Sequence, residues 1–231
     1  MCKTLIVVDL QRDFYHPEGA LYVKGGEEAM KEVVELVKND RTINQVVLTV
    51  DWHNPEDHSF EVNGGTWPIH CVQYSVGASL PPELMTAIIG RGFKSVDGSY
   101  YLGGVKDEVT KQFLAGTYDV FQKGDVPGEE EYGAFSEYDG LEDGDSDIVC
   151  MTGASGDSCA YLNLKNDVVV AGLAGDYCVL ETAKNLKEIL DGEGKLMMYL
   201  PGIASIDDGS KLKEWMAKNE VTSYDPNENT K

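Results

Sequence analysis

Two short apolar runs each end in an aspartate, and a helix-length amphipathic segment lies between them. Residues 3–8 (KTLIVV) close on Asp9, and residues 45–50 (QVVLTV) close on Asp51. A continuous apolar run of this length reads as a strand buried on both faces, as parallel sheets require. Between the two, Met30, Val33, Val34 and Val37 recur at the i, i+3, i+4, i+7 spacing of a helix that packs one face. Strand, helix, strand is a βαβ unit, and its crossover is right-handed. The alternation continues with strands over 118–122, 167–171 and 195–200, a helix from the region of 176 to 190, and a last helix over 208–218. This pattern predicts an α/β fold: a doubly wound, mostly parallel β-sheet flanked by helices on both faces. Residues 54–82, 90–104 and 127–158 are rich in Gly, Pro or acidic residues and read as long loops. Within them, 147–152 (DIVCMT) is the best candidate for a further strand. No internal repeat interrupts the pattern, and residues 227–231 read as a frayed tail.

Charge and cysteine usage narrow the function classes. The 231 residues read as one domain, and they carry a formal net charge of −21. Such a surface repels the polyanionic backbone of a nucleic acid, and equally an anionic membrane leaflet. No apolar run approaches the roughly 20 residues that span a bilayer. The N-terminus MCKTLIVVDL has none of the features of a secretory signal, so the expectation is a cytoplasmic protein. Five irregularly spaced cysteines suit reduced thiols rather than a disulfide framework.

Ligands of open α/β sheets sit beyond the carboxyl ends of the strands. Asp9, Asp51 and Lys123 fall at three such ends, and Cys178 lies a few residues past a fourth, at the start of a helix. A helix N-terminus and a nearby lysine favour the thiolate form of a cysteine, and a nearby carboxylate can take its proton. Cys178 is therefore a candidate nucleophile, with Asp9 and Lys123 as its base and its charge partner. Cys2, Cys71, Cys150 and Cys159 read as small apolar side chains. Three of the four histidines, His53, His58 and His70, fall in one loop region with Asp51. Imidazoles with one carboxylate suit a divalent first-row metal: Zn²⁺, Fe²⁺ or Mn²⁺. His16, in FYHPEG, has no such company.

These motifs together resemble a known family. VVDLQRDF (7–14), DWHNPEDH (51–58), GTWPIHC (65–71), FQKG (121–124) and GLAGDYCV (172–179) stand in the order found in nicotinamidases of the isochorismatase-like cysteine hydrolases. The isochorismate-hydrolysing branch lacks a cysteine at position 178, and related carbamoyl amidohydrolases lack the Asp/His set. The resemblance implies a metal-dependent amidase that turns nicotinamide and water into nicotinate and ammonia through a thioester, in NAD salvage. It implies Asp9 as general base, Lys123 as charge stabiliser and Cys178 as nucleophile. One divalent metal ion, zinc first and Fe or Mn next, is implied at Asp51, His53, His58 and His70. A cis peptide bond between Leu173 and Ala174 is implied too, with the N–H groups of Ala174 and Cys178 as the oxyanion hole. Phe14, Trp67 and Tyr132 are the expected walls of the pyridine slot.

The chain departs from the compact pattern in two long insertions, near 90–116 and 127–166. They supply a lid, a narrower substrate range or a subunit contact, and leave room for a homo-oligomer. Two other readings stay open at this point. One is hydrolysis of another small heteroaromatic amide such as pyrazinamide; the other is a metal- or pyridine-binding module without turnover.

Overall fold

The computed structural model describes residues 2–95, 117–126, 131–140, 148–153 and 159–228, with only the backbone at 137–140, 148 and 159. The insertion expected near 90–116 lies mostly outside the described residues, as do parts of the one near 127–166.

Among the described residues, the main sheet has seven strands in the order β10-β9-β8-β1-β2-β4-β3. They are β1 (Lys3–Val8), β2 (Ile43–Asp51), β3 (Lys94–Ser95), β4 (Thr117–Lys123), β8 (Asp167–Leu173), β9 (Leu196–Ala204) and β10 (Thr222–Ser223). Every pairing in it is parallel. The five strands expected from the sequence are all present, and the expected helices appear as α2 (Gly26–Asn39), α4 (Cys178–Leu190) and α5 (Ser210–Lys218). Two further helices, α1 (Arg12–Tyr15) and α3 (Pro82–Gly90), fall where the sequence has no clear 3.6-residue stripe.

Strand residues alternate between two cores. Leu5, Val7, Val46, Leu48, Val169 and Ala171 face α2 and α3, meeting Val33, Val34, Val37, Leu84 and Ile88. Ile6, Val8, Val47, Val168 and Val170 face the other way, toward Val179, Ala183 and Leu186 of α4 and Leu212 and Met216 of α5. The expectation of helices on both faces needs one amendment. Part of the second face is covered by a three-stranded antiparallel sheet of β5 (Glu137–Gly140), β6 (Ile148–Thr152) and β7 (Cys159–Asn163). Val149, Met151, Ala160 and Leu162 pack there against Phe121 and Phe135, and Gln45 Nε2 donates to the Tyr161 carbonyl at 2.6 Å. The strand expected at 147–152 is the centre of this sheet. Among the described residues, no helix is long and apolar enough to cross a membrane.

Candidate active site

The register of the sheet builds the site. Asp51 and Lys123 are the last residues of neighbouring parallel strands and stand directly opposite each other. Asp9 is the first residue beyond β1 and has φ +45°, left-handed backbone that a side chain with a Cβ disfavours. It is held there by Thr49, whose carbonyl accepts the Asp9 N–H at 3.1 Å and whose hydroxyl donates to Asp9 Oδ1 at 2.6 Å. On the far side of β1, Val8 pairs with Gly172. A Cβ on Gly172, at φ +124°, would lie 2.0 Å from the Val8 carbonyl oxygen, so the close approach needs glycine. The Leu173–Ala174 peptide bond that follows is cis, as the sequence resemblance implied. The turn then delivers Cys178 as the first residue of α4.

Lys123 is the centre of the buried charges. Its Nζ lies 2.9 Å from Asp9 Oδ2, 2.9 Å from Asp51 Oδ1 and 3.8 Å from Cys178 Sγ. The Glu131 carbonyl, 3.3 Å away, accepts a further hydrogen bond. Burial opposes the lysine's charge, but the two carboxylates and the thiol beside it hold its pKa well above the ordinary value. Burial raises the Asp9 pKa, against the pull of Lys123. It also pushes the Cys178 thiol well up, again against Lys123. The resting cysteine is therefore a thiol facing a carboxylate whose proton affinity has been raised, which suits proton transfer between them.

Asp51 turns its other oxygen to the histidines. Oδ2 lies 3.0 Å from His53 Nε2 and 3.3 Å from His70 Nε2. The three residues are buried, and their ligand atoms lie within 4.8 Å of one another. The second nitrogen of each ring is also engaged: His70 Nδ1 is 2.8 Å from the Pro68 carbonyl, and His53 Nδ1 is 3.1 Å from Asp57 Oδ2. Between Asp51 and Asp57, and despite burial, the His53 pKa rises to about 9. Two imidazoles and a carboxylate converging through chosen atoms fit a zinc-, iron- or manganese-type cation.

His58, expected as a fourth ligand, is outside this cluster. It is exposed, while Asp57 before it is buried. The reason is the turn that follows His53. The Asp57 N–H donates to the Asn54 carbonyl, and Asp57 Oδ1 accepts the Ser59 N–H at 2.8 Å. The turn therefore spends its one inward position on Asp57 and points the next side chain to solvent.

One cleft joins Cys178 to the cluster of Asp51, His53 and His70. Cys178 and Ala174 line it together with Asp51, His53 and His70, and its volume is about 420 Å³ with the open mouth included. Among the described residues, the N–H groups of Ala174 and Cys178 donate to no backbone carbonyl. The aromatic wall contains the three expected residues. Phe14 meets His70 edge-on at 5.4 Å, and Trp67 Nε1 donates to the Tyr132 hydroxyl at 3.1 Å. Tyr177 completes the wall, 5.3 Å from Trp67 and 5.6 Å from Tyr132. Leu21, Glu131 and Ile206 also line the cleft.

Sequence reasoning missed Tyr177, whose only signal was its place beside the candidate nucleophile. It also missed two buried polar residues of the first motif. Gln11 accepts the Asp51 N–H at 2.7 Å and donates to the Asp51 carbonyl at 2.8 Å, pinning the backbone of the shared aspartate. Asp13 accepts the N–H groups of Cys71 at 2.8 Å and Ala20 at 3.1 Å, and so anchors the segment carrying His70.

Comparison with known proteins agrees with this geometry. No family model matches the chain. A nicotinamidase of Saccharomyces cerevisiae is 27% identical over 96% of this chain and 99% of its own length. PnC1 of L. infantum, solved in complex with nicotinate, superposes with a TM-score of 0.67 at 27% identity, covering 98% of this chain and 93% of that one. A pyrazinamidase of Pyrococcus horikoshii, solved with zinc, shares the fold at a TM-score of 0.61 and 23% identity, covering 96% of this chain and 98% of that one. By fold and by sequence together, the chain is similar to nicotinamidases over nearly its whole length.

Proposed function

We propose that this chain is a metal-dependent cysteine amidohydrolase that converts nicotinamide and water to nicotinate and ammonia. The observation that carries the reading is the shared cleft: Cys178, in contact with Lys123, opens into the space lined by Asp51, His53 and His70. The nicotinate held by the L. infantum relative supports the substrate class.

In this mechanism Asp9 takes the thiol proton of Cys178, and Lys123 stabilises the thiolate. The sulfur attacks the amide carbon, and the N–H groups of Ala174 and Cys178 donate to the oxyanion, each donor being worth about 3 kcal/mol. Asp9 returns its proton to the leaving nitrogen, and the carbon–nitrogen bond breaks to release ammonia and leave a thioester on Cys178. Asp9 then takes a proton from water, whose attack on the thioester frees nicotinate and restores the thiol. Asp51, His53 and His70 are the residues that would hold the divalent cation; when bound, it supplies a Lewis-acidic anchor for the pyridine nitrogen. Phe14, Trp67, Tyr132 and Tyr177 exclude water around the ring and fix the amide relative to the sulfur, an orientation effect.

On this reading the cation is zinc, and the chain works in the cytoplasm in NAD salvage. It acts as one domain of residues 1–231, with insertions near 90–116 and 127–166. Ammonia release from nicotinamide tests the proposal. Cys178→Ala is expected to lose activity by about 10³-fold or more, and unchanged turnover in that variant overturns it. Benzamide, which lacks the ring nitrogen, is expected to have a much lower kcat/KM than nicotinamide or pyrazinamide.

A further inference from the structure

The two histidines of the cation cluster present the same ring atom to Asp51, yet the groups behind them differ. His70 Nδ1 faces the Pro68 carbonyl, which can only accept a hydrogen bond. His53 Nδ1 faces a carboxylate, Asp57 Oδ2, at 3.1 Å. That carboxylate is held at several points. Its side chain is 4% exposed, and its second oxygen accepts the Ser59 N–H at 2.8 Å. Its backbone carbonyl accepts from Asn63 Nδ2 at 2.7 Å. Among the described residues, no Lys or Arg lies within ion-pair distance of Asp57, and His53 is the one basic side chain that reaches it.

We infer that Asp57 is the positioning residue of the cation site, a role that rests on the metal-binding reading above. A neutral imidazole carries one hydrogen. Metal-ligating histidines commonly donate it from the outer nitrogen to a carboxylate or carbonyl, which fixes the tautomer and strengthens the inner nitrogen as a donor. Asp57 accepts from His53 Nδ1–H and thereby leaves Nε2, the atom turned toward Asp51 and His70, as the one that would ligate a bound cation. It acts through His53 and does not itself reach the cluster.

An amide at position 57 separates this role from mere packing. Ser59 N–H needs an acceptor, so an asparagine would keep its oxygen on Ser59 and turn its NH₂ to His53 Nδ1. A donor there drives the ring hydrogen onto Nε2, the ligand atom. Asp57→Asn should therefore bind a cation more weakly than Asp57→Ala, although its shape is closer to the native side chain. A purely structural role predicts the reverse order.

The experiment is a titration of chelator-stripped, gel-filtered protein with zinc chloride against a chromophoric zinc chelator, with the thermal midpoint of each metal-free protein measured alongside. The native chain is expected to bind one equivalent, and Asp57→Asn to lose about 10- to 100-fold in affinity. The metal-free midpoint should move by only a few degrees. Native affinity in Asp57→Asn, or tighter binding by Asp57→Asn than by Asp57→Ala, overturns this inference and leaves the metal reading standing. A native chain that takes up no divalent ion overturns both. Should Asp57→Asn fail to fold, Asp57→Ala carries the test with the same required loss of at least tenfold.

Discussion

Replacing Lys123 with methionine removes the central cation and keeps nearly the same volume. The change leaves Asp9 and Asp51 buried without the ammonium that lies 2.9 Å from each. Breaking a buried pair from one side costs about 3–5 kcal/mol. The structure sets a tighter bound, because an orphaned carboxylate can take a proton instead of remaining charged. Asp51 still has His53 against it, so Asp9 is the group that neutralises. From the ordinary aspartate value of 3.8, protonating it at pH 7 costs at most about 4 kcal/mol, and at pH 5 about 1.6 kcal/mol. The sign follows from the direction of the shift. A carboxyl whose folded pKa is raised binds its proton more tightly in the folded state, so stability falls as pH rises above the unfolded value. Lys123→Met should thus be destabilised by about 3–4 kcal/mol at pH 7 and by under 2 kcal/mol at pH 5. Urea unfolding of the metal-free native and variant proteins at the two pH values reads this directly. A loss below about 1 kcal/mol at pH 7, or one independent of pH, would refute the argument that this lysine compensates a buried acid.

Other parts of the molecule make separate predictions. Gly172→Ala puts a Cβ 2.0 Å from the Val8 carbonyl at φ +124°, and should cost about 3–5 kcal/mol in urea unfolding; a loss under 1 kcal/mol means the strands separate easily there. Trp67→Ala removes a ring that touches both Tyr132 and Tyr177, and should raise KM about tenfold with kcat little changed. A fall confined to kcat would show that the wall acts on the reaction rather than on binding. Stripping the protein with a chelator should abolish turnover and lower the thermal midpoint, with both restored by a divalent ion. Full activity in protein verified as metal-free by elemental analysis would contradict this.

The centre of the sheet was legible because β1, β2 and β8 are apolar runs buried along nearly their whole length, the pattern a central parallel strand imposes. Asp9, Asp51 and Lys123 could be placed at one rim because each stands at the end of a strand-like run. The antiparallel sheet of β5, β6 and β7 was mostly hidden, since strands of four or five residues set in acidic, glycine-rich sequence carry too little periodicity. His58 shows a different limit. Residue type and proximity in sequence suggested a ligand, but the hydrogen bonds of one turn decide whether position 57 or 58 points inward. Tyr177 and Gln11 illustrate a third: their roles come from partners distant in sequence, which no local window contains.

The two oxygens of Asp51 serve different neighbours, Oδ1 the lysine and Oδ2 the imidazoles. Substituting this residue therefore damages both halves of the centre at once, and its phenotype cannot be assigned to one of them. Genetic dissection has to enter from the outer ends of the chain of contacts, silencing the sulfur at Cys178 and emptying the cation pocket at His70. Any excess of the Asp51 defect over the His70 defect then measures the communication that passes through a single carboxylate.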